Sequence, residues 1–187
     1  GTFEHISVPP TLIAFGITTV PADKVVSTDL KQAGNKLYLI KHNALANYMP
    51  NVEQLKENWT YTTNAIQSGK VCATYALGFG GVAEAIAKMS FGNELAVDIQ
   101  IAENELFDYN YGSILVEATE DLSLPAAQYI GTVIEGTHLV INGEQVSREV
   151  LLHACCGQFD KIYPSAVPAQ HQTLMPADTL PLTSNLS

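Results

Sequence analysis

The chain has 187 residues with 47% hydrophobic content, enough for one domain with a real core and too apolar for a disordered segment. Nineteen acidic residues against nine basic ones give a net charge of −10, and no basic cluster offsets it, so nucleic acid is excluded as an expected partner. Apolar runs stay far short of the roughly 20 residues of a membrane helix. Gly1–Ser7 lacks the basic-then-apolar order of a signal peptide.

Three cysteines, Cys72, Cys155 and Cys156, form a sparse, odd set with two adjacent members, which reads as reduced thiols in a cytoplasmic protein. His5, His42, His138, His153 and His171 are dispersed without ligand spacing, so no metal residue is assigned. Asn58-Trp59-Thr60 is formally a glycosylation sequon, but it falls inside a predicted helix.

In chain order, Thr11–Val20, "TLIAFGITTV", is β-branched and aromatic between prolines and predicts a strand, and Lys36–His42 predicts a second. Between Asn51 and Gly69, the apolar residues Val52, Leu55, Trp59 and Ile66 fall at helical spacing, with Asn51 and Gln54 as a capping pair and Gly69 as the stop. Val71–Leu77 predicts a short strand. Gly80-Gly81 then opens a helix with Val82, Ile86 and Met89 on one face and a Glu84/Lys88 pair on another.

Leu95, Val97, Ile99 and Ile101 alternate with Ala96, Asp98 and Gln100, the period of a half-buried strand. Further strands are predicted over Ser113–Thr119 and Tyr129–Glu135, then a hairpin at Asn142-Gly143. Ser147 is placed to cap a last helix running towards Phe159. From Ser165 on, three prolines and the lack of any period predict a linker. The fold expected is α+β, a mixed sheet covered by helices.

Gly78-Phe79-Gly80-Gly81 has neither the Walker lysine nor the G-x-G-x-x-G spacing. Two readings stay open for it: close packing at a strand-to-helix corner, or a helix N-terminus facing a phosphate. His153 with Cys155 or Cys156 is a further candidate, a nucleophile pair on one helix, although no orienting acid or oxyanion donor accompanies it. Buried structural cysteines are the plainer expectation for that helix.

Taken together, "TLIAFGITTVPADKVVSTDLKQAGNKLYLIKH", "GFGGVAEAIAKMSFGN", "LFDYNYGSILVEA" and "FDKIYP" resemble, in order and spacing over about residues 8 to 164, the C-terminal half of an aminoimidazole-ribonucleotide-synthetase-type module. The likeness is to the second such module of the phosphoribosylformylglycinamidine synthase family in its long single-chain form. That resemblance implies the α+β C-terminal domain of the module over residues 1–164 and a linker over 165–187 leading towards a glutaminase domain. It also implies ATP and magnesium as cofactors of the full-length ligase, with glutamine as amido donor in purine biosynthesis. The partners implied are the first half of the module and the glutaminase domain of the same chain.

This chain departs from the family where chemistry would reside. The pattern His-Asp-x-Ser-Asp-Gly-Gly-Leu is replaced by Tyr75, Ala76, Leu77, Gly78, Phe79, Gly80, Gly81 and Val82, and Tyr109 stands where a family acid would be. Carboxylates and a histidine would hold magnesium or move protons in such a site. No catalytic residue is therefore assigned. Gly78, Gly80 and Gly81 are expected at most to lie beside a nucleotide's phosphates, no tightly bound cofactor is expected on this half, and a stand-alone nucleotide-binding scaffold is the alternative.

Overall fold

A computed structural model describes residues 1–159 and Ile162. The elements are β1 (Thr2–Phe3), β2 (Ile6–Ser7), β3 (Lys36–Ile40), α1 (Val52–Gln67), β4 (Val71–Ala76), α2 (Gly81–Met89) and β5 (Leu95–Ile99), followed by α3 (Glu103–Leu106), β6 (Ile114–Ala118), β7 (Ala127–Glu135), β8 (His138–Ile141), β9 (Glu144–Ser147) and α4 (Arg148–Cys156). Short 3₁₀ turns occupy Ala22–Lys24 and Gly157–Phe159. The linker expected over 165–187 lies outside the described residues, as does the closing Phe-Asp-Lys-Ile-Tyr-Pro stretch apart from Phe159 and Ile162.

Seven strands form one sheet in the order β4-β6-β3-β7-β5-β8-β9, and β1 and β2 pair separately. Its pairs are antiparallel except β5 with β8, so the sheet is mixed and the class α+β, as the sequence predicts. Alternation along β3 sorts the core into two layers. Leu37 and Leu39 join Leu115, Val97 and Ile99 under α2, which contributes Val82, Ala85, Ile86 and Met89. Tyr38 and Ile40 join Val71, Val116 and Ala118 under α1, which contributes Ala65.

Several local signals fold as read. The Asn51 side chain accepts from the Gln54 N–H at the start of α1, and the Ser147 hydroxyl accepts from the Val150 N–H at the start of α4. Asn142 and Gly143 adopt φ of 53° and 87°, the left-handed pair that a two-residue hairpin between β8 and β9 requires.

Three expectations are corrected. Thr11–Val20 is not a strand: the whole segment is exposed and pairs with no other segment among the described residues, because β propensity without a neighbouring strand leaves the backbone to water. On α1 the fully buried positions are Asn58, Thr62 and Ala65, whereas Val52 and Trp59 are exposed. The helix is rotated so that Asn58 donates to the Lys41 carbonyl at 3.1 Å, which also places the sequon asparagine out of solvent. Cys155 and Cys156 are exposed rather than buried, since α4 buries none of its residues fully.

Candidate functional site

The strand β4 ends at Ala76, and the chain turns through Leu77, Gly78, Phe79 and Gly80 into α2. Gly81 has φ +61°, and a Cβ there would stand 2.8 Å from the Asp108 carbonyl oxygen and 3.0 Å from that of Leu106. The turn is therefore pressed against the segment that follows α3, with no room for a side chain. Gly80 has an ordinary φ of −85° but faces the Glu84 side chain, whose Cβ a new Cβ would meet at 2.6 Å.

The α2 N-terminus is filled by a group of its own. Gly80 N–H donates to Glu84 Oε2 at 2.9 Å, and Lys88 Nζ donates to Glu84 Oε1 at 2.6 Å. The Tyr75 hydroxyl donates to the same Oε1 at 3.3 Å. The Lys88 ammonium, and then the Gly80 amide, hold the Glu84 carboxyl below the ordinary carboxylate range. The carboxylate in turn raises Lys88 well above its usual value. A negative charge thus already sits on the amide that an anion would use, where the helix dipole favours it.

Beside this network, Phe79 stacks on Tyr109 with ring centroids 4.9 Å apart and planes 28° apart. Both rings are largely exposed, as are Phe107 and Tyr111 on the same segment. The corner is consequently bordered by aromatic surface. Among the described residues no group of three or more His, Cys, Asp or Glu is arranged to hold a metal ion. Glu84 is fully engaged with Lys88, Tyr75 and Gly80, so the residues present do not fit a magnesium-nucleotide site.

The structure brings Gly78, Gly80 and Gly81 together with Tyr75, Phe79 and Tyr109. His153 is exposed on α4, where its imidazole packs against Gly157.

Two buried polar groups escaped the sequence reading. Glu117 on β6 has no exposed surface and accepts from Lys31 N–H at 2.7 Å, Gln32 N–H at 3.0 Å and Asn35 Nδ2 at 2.6 Å, pinning the loop that leads into β3. His42 Nε2 accepts from the Asn51 N–H at 3.0 Å, so Nδ1 carries the proton and donates to the Tyr111 carbonyl at 2.8 Å. Glu117 shares a strand face with Leu115, and an acid at a core-facing register was the signal available for it.

The architecture is that of a segment of known synthase structures. Over 71% of its length the chain matches Thermotoga maritima phosphoribosylformylglycinamidine synthase II, with a TM-score of 0.56 and 14% identity. It matches the PurLQS structure from the same organism with a TM-score of 0.61 and 14% identity, again over 71% of this chain. The match to T. maritima PurL complexed with ATP has a TM-score of 0.55 and 13% identity over 71% of this chain. In each case the chain spans 28% of the matched protein. No protein-family description matches the sequence, and no curated protein does.

Proposed function

We propose that this chain is the C-terminal half of the second aminoimidazole-ribonucleotide-synthetase-like module of a phosphoribosylformylglycinamidine synthase, and that it serves there as a non-catalytic structural domain. The whole enzyme would use ATP, magnesium and glutamine-derived ammonia to convert formylglycinamide ribonucleotide to the amidine in the cytoplasm. The first half of the module and a glutaminase domain would be its covalent partners, residues 1–164 the domain and 165–187 the linker. The shared fold and the segment pattern from "TLIAFGITTV" to "FDKIYP" support the family reading.

The observation that carries the non-catalytic role is Glu84. Its carboxylate takes the Gly80 amide and the Lys88 ammonium at the corner where the family pattern would place acids and phosphate. Gly78, Gly80 and Gly81 then make a packed corner that a nucleotide approaches at most from outside, and this half holds neither ATP nor magnesium tightly.

The test uses the full reading frame that encodes this chain. Supplied with ATP, glutamine and formylglycinamide ribonucleotide, its product forms the amidine, and Glu84→Gln or Tyr109→Ala leaves kcat within about twofold, because neither group touches reacting atoms. No amidine formation would overturn the synthase reading. A collapse of kcat with unchanged melting would overturn the structural role alone.

A further inference from the structure

His42 is 4% exposed, whereas His5, His138 and His153 lie at the surface. Its ring closes a clasp between three segments. Just beyond β3 the His42 N–H donates to Ser113 Oγ at 2.9 Å, which fixes the backbone that carries the ring. Nδ1–H donates to the Tyr111 carbonyl at 2.8 Å, on the segment before β6. Nε2 accepts at 3.0 Å from the N–H of Asn51, the residue that caps α1. The ring is closely packed, since a Cβ at Gly112 would stand 3.1 Å from Nδ1.

Both ring partners are main-chain groups with fixed roles, for a carbonyl only accepts and an amide only donates. The clasp therefore fits one form of the ring, the neutral imidazole with its proton on Nδ1. A second proton sets N–H against N–H and leaves a buried cation with no carboxylate bonded to it. The charged and titratable groups of the surrounding elements are engaged elsewhere or face outward. Lys41 pairs with Glu105 of α3, Glu117 of β6 is bonded to the Lys31–Asn35 loop, and Glu53, Lys56 and Glu57 are exposed on α1. Tyr48 is exposed on the turn before α1, as are Asp108, Tyr109 and Tyr111 after α3.

The two sides of the clasp are held unequally. On the Tyr111 side, Ser113 N–H donates to the Asn110 carbonyl at 2.9 Å, Leu77 N–H to the Ser113 carbonyl at 3.0 Å and Trp59 Nε1 to the Gly112 carbonyl at 3.3 Å. A charged ring still donates to Tyr111, so nothing is lost there. On the Asn51 side, the bonds from Leu45 N–H to the Met49 carbonyl and from Tyr48 N–H to the Leu45 carbonyl lie within the turn itself. Besides the ring, Asn43 N–H to Gln54 Oε1 at 2.7 Å ties that turn to the fold among the described residues. The body of α1 is secured separately, by Asn58 Nδ2 on the Lys41 carbonyl.

We propose that His42 is a pH-sensitive latch: a second proton on its ring releases Asn51, and with it the 43–51 turn and the entry to α1, while the Tyr111 side of the clasp holds. A free imidazole takes its second proton near about pH 6.5. The closed clasp has no place for that proton and the opened one does, so the latch is shut at neutral pH and opens as pH falls. Every group involved lies within the described residues, and the inference stands independently of the synthase reading.

Ring nitrogen NMR spectra and amide hydrogen exchange of the 187-residue chain test it. At about pH 7.5 the spectra should show a proton on Nδ1 of His42 and none on Nε2. Corrected for intrinsic exchange, protection of the Asn51 amide should fall at least about tenfold by about pH 5, while the Thr62 and Ala65 amides of α1 change less than about twofold. His42→Gln offers an amide oxygen to the Asn51 N–H and takes up no proton in this range, so its Asn51 protection should stay level. A proton on Nε2 at about pH 7.5 overturns the proposal on the parent protein alone, whether or not the variant folds. Asn51 protection that is absent or flat with pH overturns it too, as does a fall shared by His42→Gln or by Thr62 and Ala65.

Discussion

Phe79 and Tyr109 stack at 4.9 Å across the gap between the β4–α2 corner and the segment after α3. Tyr109 thus makes an aromatic contact with Phe79, the residue between Gly78 and Gly80. A double-mutant cycle of Phe79→Ala and Tyr109→Ala, followed by denaturant unfolding, should return a coupling of about 0.5 kcal/mol, the low end for aromatic pairs because both rings are largely exposed. Strict additivity would mean that the stack contributes nothing to holding the two segments together.

The glycines of the corner should separate by mechanism. Gly81→Ala requires a left-handed φ of +61° and sets a Cβ 2.8 Å from the Asp108 carbonyl oxygen, a backbone atom that cannot move independently. Gly80→Ala keeps an ordinary φ and meets the Glu84 side chain, which can shift at the expense of its hydrogen bonds. The expected losses are about 2–4 kcal/mol for Gly81→Ala and about 1–2 kcal/mol for Gly80→Ala. Thermal melts that rank the two in the opposite order would remove backbone crowding as the reason for glycine at 81.

What the sequence made legible was mostly local. Asn51 with Gln54, the Asn142-Gly143 turn, Ser147, and the Val82/Ile86/Met89 stripe each depend on residues a few positions apart, and each folds as read. The Glu84/Lys88 pair was legible for the same reason, but its contact with Tyr75 was not, because that depends on how β4 sits against α2. Thr11–Val20 misled because its composition favours a strand while its pairing partner is not a local property. Trp59 misled in the opposite sense: its place in the apolar helical spacing suggested the core, yet α1 turns Asn58 inward to satisfy the Lys41 carbonyl. The role of Glu117 depends on donors more than eighty positions away, beyond the reach of any periodicity.

The Glu84 network sets a pH dependence with a definite sign. Its carboxyl, held down by Lys88 and the Gly80 amide, has a lower pKa folded than unfolded, so its contribution is fully present above the ordinary value near 4.5 and is lost as pH falls through the folded value. Glu84→Gln should therefore lower stability by about 0.5–1.5 kcal/mol at pH 7, combining an i,i+4 pair with a charge-assisted bond to an amide. The gap between variant and parent should narrow below about pH 4.5. Urea unfolding at neutral and acid pH measures both arms, and a gap that widens in acid would contradict the network as drawn.

Thiol chemistry should distinguish the cysteines by environment. The Cys72 thiol is pushed up to about 11 from an ordinary 9.0, first by burial and then by the neighbouring Glu117, whose backbone carbonyl also accepts from it at 3.6 Å. Thiolate is the reactive form, so at pH 8 about a hundredfold less of it is present than for an ordinary thiol, and partial burial slows access further. Cys155 lies exposed on α4. Reaction of the folded protein with an aromatic disulfide at pH 8 should therefore label Cys155 first and leave Cys72 at least about tenfold slower, the difference vanishing in denaturant. Peptide mapping of the labelled sites over time gives the order directly, and early modification of Cys72 in the folded state would show that β4 opens far more readily than its pairing with β6 implies.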